Sequence, residues 1–155
     1  MVTKSEDMIQ RIYIDTSVIG GLFDIEFSAD TKPFFDRVEK GEIKIVYSEI
    51  TTDELADAPE KVKNYFRGLS SKQKEFVEIS KEAVNLADTY IREKVVGKTS
   101  RADCIHIALA TIHKVDIVVS WNFKHIVNIN RIRGYNSVNL RLGHQTLEIR
   151  TPKEI

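Results

Sequence analysis

Hydrophobic positions recur along the chain with two different periods, and together they predict alternating strands and helices. Short runs rich in β-branched residues predict strands, whereas apolar residues three or four positions apart predict helices. Strands are predicted at residues 11–14, 43–47, 115–119, 138–142 and 147–149. Helices are predicted at about 32–40, from near residue 52, in the stretch after Pro59, at 82–95 and at 100–113. The segment 76–79 fits either a strand or a helix.

This order of elements is typical of an α/β domain with a mostly parallel sheet. The run of apolar residues at 115–119 supports it, because parallel strands covered on both faces are continuously hydrophobic. The length of 155 residues suits one domain spanning 1–155. In such sheets, ligands bind beyond the carboxyl ends of the strands.

Composition excludes several classes of protein. The single cysteine, Cys104, rules out a disulfide within the chain and a cysteine-based zinc site. No apolar run is long enough to span a membrane, and residues 1–10 are too polar for a secretory signal, so we expect a cytoplasmic protein. Phosphate-binding glycine motifs and the G-x-S-x-G motif of serine hydrolases do not occur.

The net charge is zero, but the charges are distributed unevenly along the chain. Residues 24–60 hold eleven acids and four bases, whereas residues 117–150 hold five bases and one acid. A basic strip beside an acidic half is compatible with a polyanion lying across a metal site. Two solvated faces explain the same distribution and are the favoured interpretation of this feature alone.

Four polar side chains follow predicted strands or begin predicted helices at the expected ligand edge. They are Asp15, Glu54, Asp103 and Asn122. Each also has a structural explanation: the acids fit helix caps or capping boxes, and Asn122 fits a turn. As a group, however, carboxylates brought close together raise one another's pKa, and a divalent cation relieves that repulsion. Hard oxygen ligands favour Mg²⁺ or Mn²⁺, which can assist phosphodiester hydrolysis.

An ordered set of segments resembles the PIN-domain family over nearly the whole chain. The set comprises residues 12–17 (IYIDTS), Glu54, residues 101–110 (RADCIHIALA) and residues 118–123 (VVSWNF). The resemblance implies a three-layer α/β/α fold and a metal-dependent endoribonuclease. The best-populated branch of the family consists of VapC-like toxins, which implies an antitoxin partner and a homodimer.

By this resemblance, Asp15, Glu54 and Asp103 match the family's metal-site acids, and Ser17 matches a hydroxyl beside the first of them. The family commonly has a fourth acid where this chain has Asn122, which adds no charge but can orient water. Ser120 is expected to support the site. A catalytically weak or inactive module that binds RNA or a protein is the alternative function.

Further candidates for RNA binding follow the third predicted strand. Trp121 can stack on a base or pack against a helix, and packing is slightly favoured. Lys124, Arg131 and Arg133 can contact phosphates, although solvated surface charge explains them equally well. Single histidines such as His106 and His125 are more often structural than catalytic.

Overall fold

The computed structural model describes residues 9–97 and 100–155. Its five strands form one sheet in which every pairing is parallel, in the order β3-β2-β1-β4-β5. The strands are β1 (Gln10–Ile14), β2 (Ile43–Ser48), β3 (Lys74–Val77), β4 (Ile117–Val119) and β5 (Glu148–Arg150). The central strand β1 pairs with β2 and β4, so the three strand ends that precede the candidate residues lie side by side.

Helices cover both faces of the sheet. They are α1 (Thr16–Gly21), α2 (Ser28–Glu39), α3 (Glu49–Leu55), α4 (Glu60–Gly68), α5 (Lys81–Arg92), α6 (Arg101–Ile112) and α7 (Ile129–Arg141). Ile12 and Ile14 point into a core with α1, α2 and α4, whereas Tyr13 points into a second core with α5, α6 and α7. This alternation follows from the period of two in a strand, and it confirms the predicted three-layer α/β/α fold.

The predicted strand at 138–142 is wrong, because these residues continue or follow helix α7. The side chain of Asn128 caps that helix by accepting a hydrogen bond from the backbone N–H of Arg131 at 2.9 Å. Tyr135, Val138 and Asn139 are buried at helical spacing. The short apolar run was ambiguous, and the cap upstream determines its conformation.

Strand β4 and the ambiguous segment 76–79 also differ from the sequence prediction or complete it. Strand β4 begins at Ile117 rather than at residue 115, after Lys114 adopts a left-handed backbone with φ 54°. The ambiguous segment 76–79 contributes to β3, the edge strand beside β2. Within residues 9–97 and 100–155, every helix is too short or too polar to cross a bilayer.

Candidate functional site

Asp15 follows β1 directly, and its carboxylate is held by two serine hydroxyls. The side chain is 6% exposed. Ser17 Oγ donates to Asp15 Oδ1 at 2.5 Å, and Ser120 Oγ donates to Oδ2 at 2.7 Å. Burial raises the pKa of Asp15, and the nearby Glu54 raises it further, whereas His106 and the two serines lower it. The buried carboxylate therefore carries a desolvation cost that its neighbours relieve only in part.

The two serines also fix the backbone that follows β4. Ser17 Oγ accepts a hydrogen bond from the backbone N–H of Trp121 at 2.9 Å. Ser120 Oγ accepts one from the backbone N–H of Asn122 at the same distance, 2.9 Å. Each hydroxyl thus donates one hydrogen bond to Asp15 and accepts one from the backbone after β4, so it links the two. Asp15 itself precedes α1 without capping it by its side chain, so the alternative explanation as a helix cap does not apply.

Asp103 lies in the first turn of α6, next to the loop that follows β4. Asn122 Nδ2 donates to Asp103 Oδ2 at 3.3 Å, while Asn122 Oδ1 accepts from the backbone N–H of His125 at 3.0 Å. Asn122 is therefore both a turn residue and a partner of the acid. Burial raises the pKa of Asp103, as do Asp15 and Glu54, whereas the two nearby histidines lower it.

Glu54 lies on α3, which begins earlier than the sequence suggested. The capping box at its start joins Ser48 and Thr51, rather than Thr51 and Glu54, so the glutamate is not needed as a cap. Its side chain is 40% exposed. Glu54 Oε1 instead lies 2.5 Å from Nε2 of His106 on α6.

His106, which the sequence analysis considered more often structural than catalytic, contacts the candidate acid Glu54. It is 1% exposed, and its Nδ1 lies 2.6 Å from the hydroxyl of Tyr13. The Tyr13 hydroxyl in turn lies 2.8 Å from Ser48 Oγ. The side chains thus form a buried series of hydrogen bonds, in the order Ser48, Tyr13, His106 and Glu54. The series fixes the histidine ring at both nitrogens. The i, i+3 spacing from Asp103 was the available signal, because it places both side chains on one face of α6.

The structure brings the predicted acids to one edge of the sheet but gives each its own partner. Asp15 is held by serines, Asp103 by Asn122 and Glu54 by His106. Across the described ranges, no three His, Cys, Asp or Glu side chains lie close enough together to hold a metal ion. The electrostatics nevertheless suit a cation, because burial and the nearby Glu54 raise the pKa of both Asp15 and Asp103, and a bound cation would oppose both effects. The carboxylate oxygens are the ligand type that Mg²⁺ and Mn²⁺ prefer.

The RNA-stacking role considered for Trp121 does not fit its surroundings. The side chain is 8% exposed, and its ring stacks on Phe27 with centroids 4.4 Å apart. Its Nε1 donates to Thr31 Oγ1 on α2 at 2.9 Å. Packing against a helix, the favoured alternative, is therefore what the structure shows. Its near neighbour in the chain, Phe123, is 50% exposed and lies 6.0 Å away, ring centroid to ring centroid.

Three bases of the strip predicted at 117–150 are engaged by other groups of the chain, and two of these three are paired with acids. Arg131 donates to the backbone carbonyl of Val95, and Arg141 forms an ion pair with Glu93. Arg150 lies 3.5 Å from Glu148. Lys124 and Arg133 are exposed on the surface. These last two stay the candidates for phosphate contact in this part of the chain.

Comparison with known proteins identifies the fold. Neither a protein-family profile nor a curated protein sequence matches the chain. Solved structures do match the chain. One is VapBC2 from Rickettsia felis bound to a DNA fragment from their promoter. It has 13% sequence identity and a TM-score of 0.57, over 92% of this chain and 98% of that one. DNA-bound VapBC from Salmonella typhimurium has 15% identity and a TM-score of 0.54, over 93% of this chain and 99% of that one.

FitAcB from Neisseria gonorrhoeae is similar to the same extent. It has 15% identity and a TM-score of 0.58, over 93% of this chain and 99% of the matched chain. At this level of identity the likeness establishes the fold. Together with the parallel five-stranded sheet between two helical layers, these neighbours show that the chain has a VapC-like PIN fold.

Proposed function

We propose that this chain is a metal-dependent endoribonuclease and the toxin of a toxin–antitoxin pair. The observation that carries the proposal is the buried carboxylate of Asp15, held by two serines where β1 ends. A buried carboxylate is costly, and the two serine hydrogen bonds offset the burial of Asp15 only in part. Such groups with raised pKa values concentrate at functional sites.

The solved neighbours support the pairing with an antitoxin. The VapBC2, VapBC and FitAcB structures are toxin–antitoxin complexes. We accordingly propose a cognate antitoxin, an RNA substrate, a homodimer and a cytoplasmic location for this chain. The solved neighbours support the proposed antitoxin, and the acidic side chains support the proposed RNA substrate.

The acidic edge assigns distinct tasks to its side chains. Asp15 and Asp103 would hold one Mg²⁺ or Mn²⁺, with Glu54 close to it. When bound, the ion supplies positive charge that stabilises the negative charge developing on phosphate oxygens. Ser17 and Ser120 orient the Asp15 carboxylate. Asn122 orients Asp103 through its Nδ2 group.

Glu54 is the proposed general base, which would accept a proton from the attacking water. Its Oε1 is engaged by His106, which leaves Oε2 on a partly exposed side chain free to face solvent. A general base must lie within hydrogen-bond reach of the proton that it removes. His106 and Tyr13 hold Glu54 in one position, so that its second oxygen is presented to the substrate consistently.

The test is RNA cleavage by the purified chain with Mg²⁺ or Mn²⁺. Asp15→Asn and Asp103→Asn should each abolish cleavage, because each removes a charge that binds the ion. Asp53→Asn is the matched control, since Asp53 is an exposed acid beside Glu54 on α3. If the wild-type chain cuts no RNA with either ion, while a known nuclease does so under the same conditions, the proposal fails.

A non-catalytic module that binds RNA or a protein is the second candidate. It is favoured by the partner that each acid already has, and by the neutral Asn122 beside Asp103. This function predicts RNA binding without cleavage and little effect of a chelator. Cleavage that appears only in the Asn122→Asp variant would instead indicate a catalytic site of low metal affinity.

A further inference from the structure

A cationic stretch lies outside the acidic edge, in helix α4 and the segment that leads into β3. Residues 61–74 contain five cations and no acid, in a chain whose net charge is zero. The five are Lys61, Lys63, Arg67, Lys72 and Lys74. Only Lys63 has a carboxylate within 4 Å among the described residues, namely Glu60 at 3.5 Å. The positive charge of this stretch is therefore largely uncompensated.

Three of these cations surround a cavity of about 420 Å³ between α3, α4 and strands β2 and β3. They are Lys63, Arg67 and Lys74. The cavity lining includes no acidic side chain. Its volume lies within the range of small-molecule sites, roughly 300–1,000 Å³.

Two aromatic rings contribute to the same cavity. Tyr47 at the end of β2 meets Phe66 of α4 edge to face, with centroids 4.9 Å apart. Lys74 Nζ donates to the Phe66 carbonyl at 2.8 Å and lies 4.6 Å from the Phe66 ring. Burial lowers the pKa of Lys74, so a bound anion would favour its charged form. Cations beside aromatic rings are the combination that binds single-stranded nucleic acids.

The cavity and the acidic edge share helix α3. Leu55 and Ala56 line the cavity, whereas the adjacent Glu54 reaches His106 at the acidic edge. The two sites are thus separated by one helix, whose diameter with side chains is about 10 Å. A strand of RNA that passes over Glu54 can continue across α3 into the cavity.

We propose that this cavity binds a nucleotide of the RNA substrate that flanks the cleaved bond. Lys63 and Arg67 contact its phosphates, and the aromatic side of the cavity takes its base. This inference rests on the proposed function, because it assumes that RNA is the ligand of the acidic edge. An acidic segment of a protein partner is the competing occupant, and measurements of RNA affinity at several salt concentrations separate the two.

The test compares Lys63→Gln/Arg67→Gln with the wild-type chain in binding a fluorescent single-stranded RNA without divalent metal. The slope of log affinity against log salt should be shallower by about 0.7 for each phosphate that the variant no longer neutralises. If both cations contact phosphates, the wild type should lose about sevenfold more affinity than the variant between 50 and 200 mM salt. Arg67→Lys, which leaves both positive charges in place, should keep most of the wild-type slope.

Lys81→Gln/Arg92→Gln is the matched control, because it removes two exposed cations from α5 on the other face of the sheet. It should leave the slope unchanged. With divalent metal, the cavity variant should raise KM for RNA and keep kcat, since the acids are untouched. An unchanged slope, or an equal change in the control, overturns the inference and favours the protein partner. Because binding is measured without cleavage, this failure is distinct from a failure of the proposed nuclease activity.

Discussion

Replacement of Tyr13 by phenylalanine tests whether the buried series from Ser48 to Glu54 organises the site. The substitution removes one oxygen atom from a fully buried side chain and leaves the ring in the core. That oxygen lies 2.6 Å from His106 Nδ1 and 2.8 Å from Ser48 Oγ. Tyr13→Phe therefore deletes two hydrogen bonds at once without creating a large cavity.

The expected cost in the free energy of unfolding is about 2–3 kcal/mol. Each hydrogen bond contributes about 1 kcal/mol net, and a buried group left without a partner costs about 1–3 kcal/mol. Ser48 keeps its capping interaction with Thr51, so most of the penalty falls on the histidine ring. For a chain of this size, about 2–4 °C is lost per kcal/mol, which gives a fall in Tm of roughly 5–10 °C. Urea and thermal unfolding, both monitored by circular dichroism, measure the two quantities.

The same substitution should also reduce RNA cleavage at temperatures where the variant is folded. His106 loses one of its two anchors, and Glu54 loses its fixed position. Misplacement of a catalytic group by about 1 Å can lower the rate on the order of a hundredfold, so a fall in kcat of about tenfold or more is expected. KM should change less, because the residues proposed to bind RNA are unaltered.

Tyr90→Phe is the matched control for this prediction. The Tyr90 hydroxyl donates to Asn139 at 2.5 Å, and it is buried between α5 and α7, away from the acidic edge. This variant should lose stability and keep its activity. Two results would refute the role assigned to Tyr13. One is a free energy of unfolding of Tyr13→Phe within about 0.5 kcal/mol of the wild type, the scale expected for surface changes. The other is an unchanged kcat.

Three further substitutions probe the charge and packing of the site. Because burial raises the pKa of Asp15, the folded chain loses stability as pH rises from the ordinary carboxyl range through the raised pKa. Asp15→Asn should therefore gain stability over the wild type as the pH rises above about 4, in urea unfolding with chelator, and a constant difference would contradict this. Asn122→Asp places a second carboxylate beside Asp103. The two negative charges repel each other, so the variant should be less stable than the wild type without metal and should bind Mn²⁺ more tightly in calorimetry. Unchanged Mn²⁺ affinity would argue against an ion at this position. A Cβ at Gly21 would lie 2.7 Å from Nε1 of Trp121, so Gly21→Ala should cost about 1–3 kcal/mol, whereas Gly20→Ala, which meets open space, should be neutral or stabilising by thermal denaturation.

The strands that place the acids were predictable because their signals are local. Strands β1 and β2 are apolar runs with β-branched residues, and Asp15 follows the first of them directly. The order of elements then determined the parallel sheet and the edge to which the acids belong. Helix α7 was not predicted because a local signal can also be ambiguous. A five-residue apolar run fits a strand as well as a buried helix face. Its decisive signal was the cap at Asn128, ten residues upstream of Val138.

The partners of each acid were beyond sequence reasoning because they come from different elements. His106 on α6 contacts Tyr13 on β1 and Glu54 on α3. Ser48 at the end of β2 contacts the same tyrosine. No spacing along the sequence predicts these contacts. The acids themselves were assigned to one edge, but the sequence did not show that each is paired separately. Trp121 was ambiguous because an indole ring suits both a core and a base, and the decision depends on Phe27 and α2.

The pairing of β1 with β4 has a consequence for the chain as it leaves the ribosome. Ser120 follows Asp15 by 105 residues. At a synthesis rate of roughly 5–20 residues per second, the first carboxylate emerges about 5–20 s before the hydroxyl that completes its environment. During this interval the central strand β1 has at most one of its two neighbours, β2. Under the proposed function, the nascent protein cannot cut the messenger that encodes it until Ser120 has been translated.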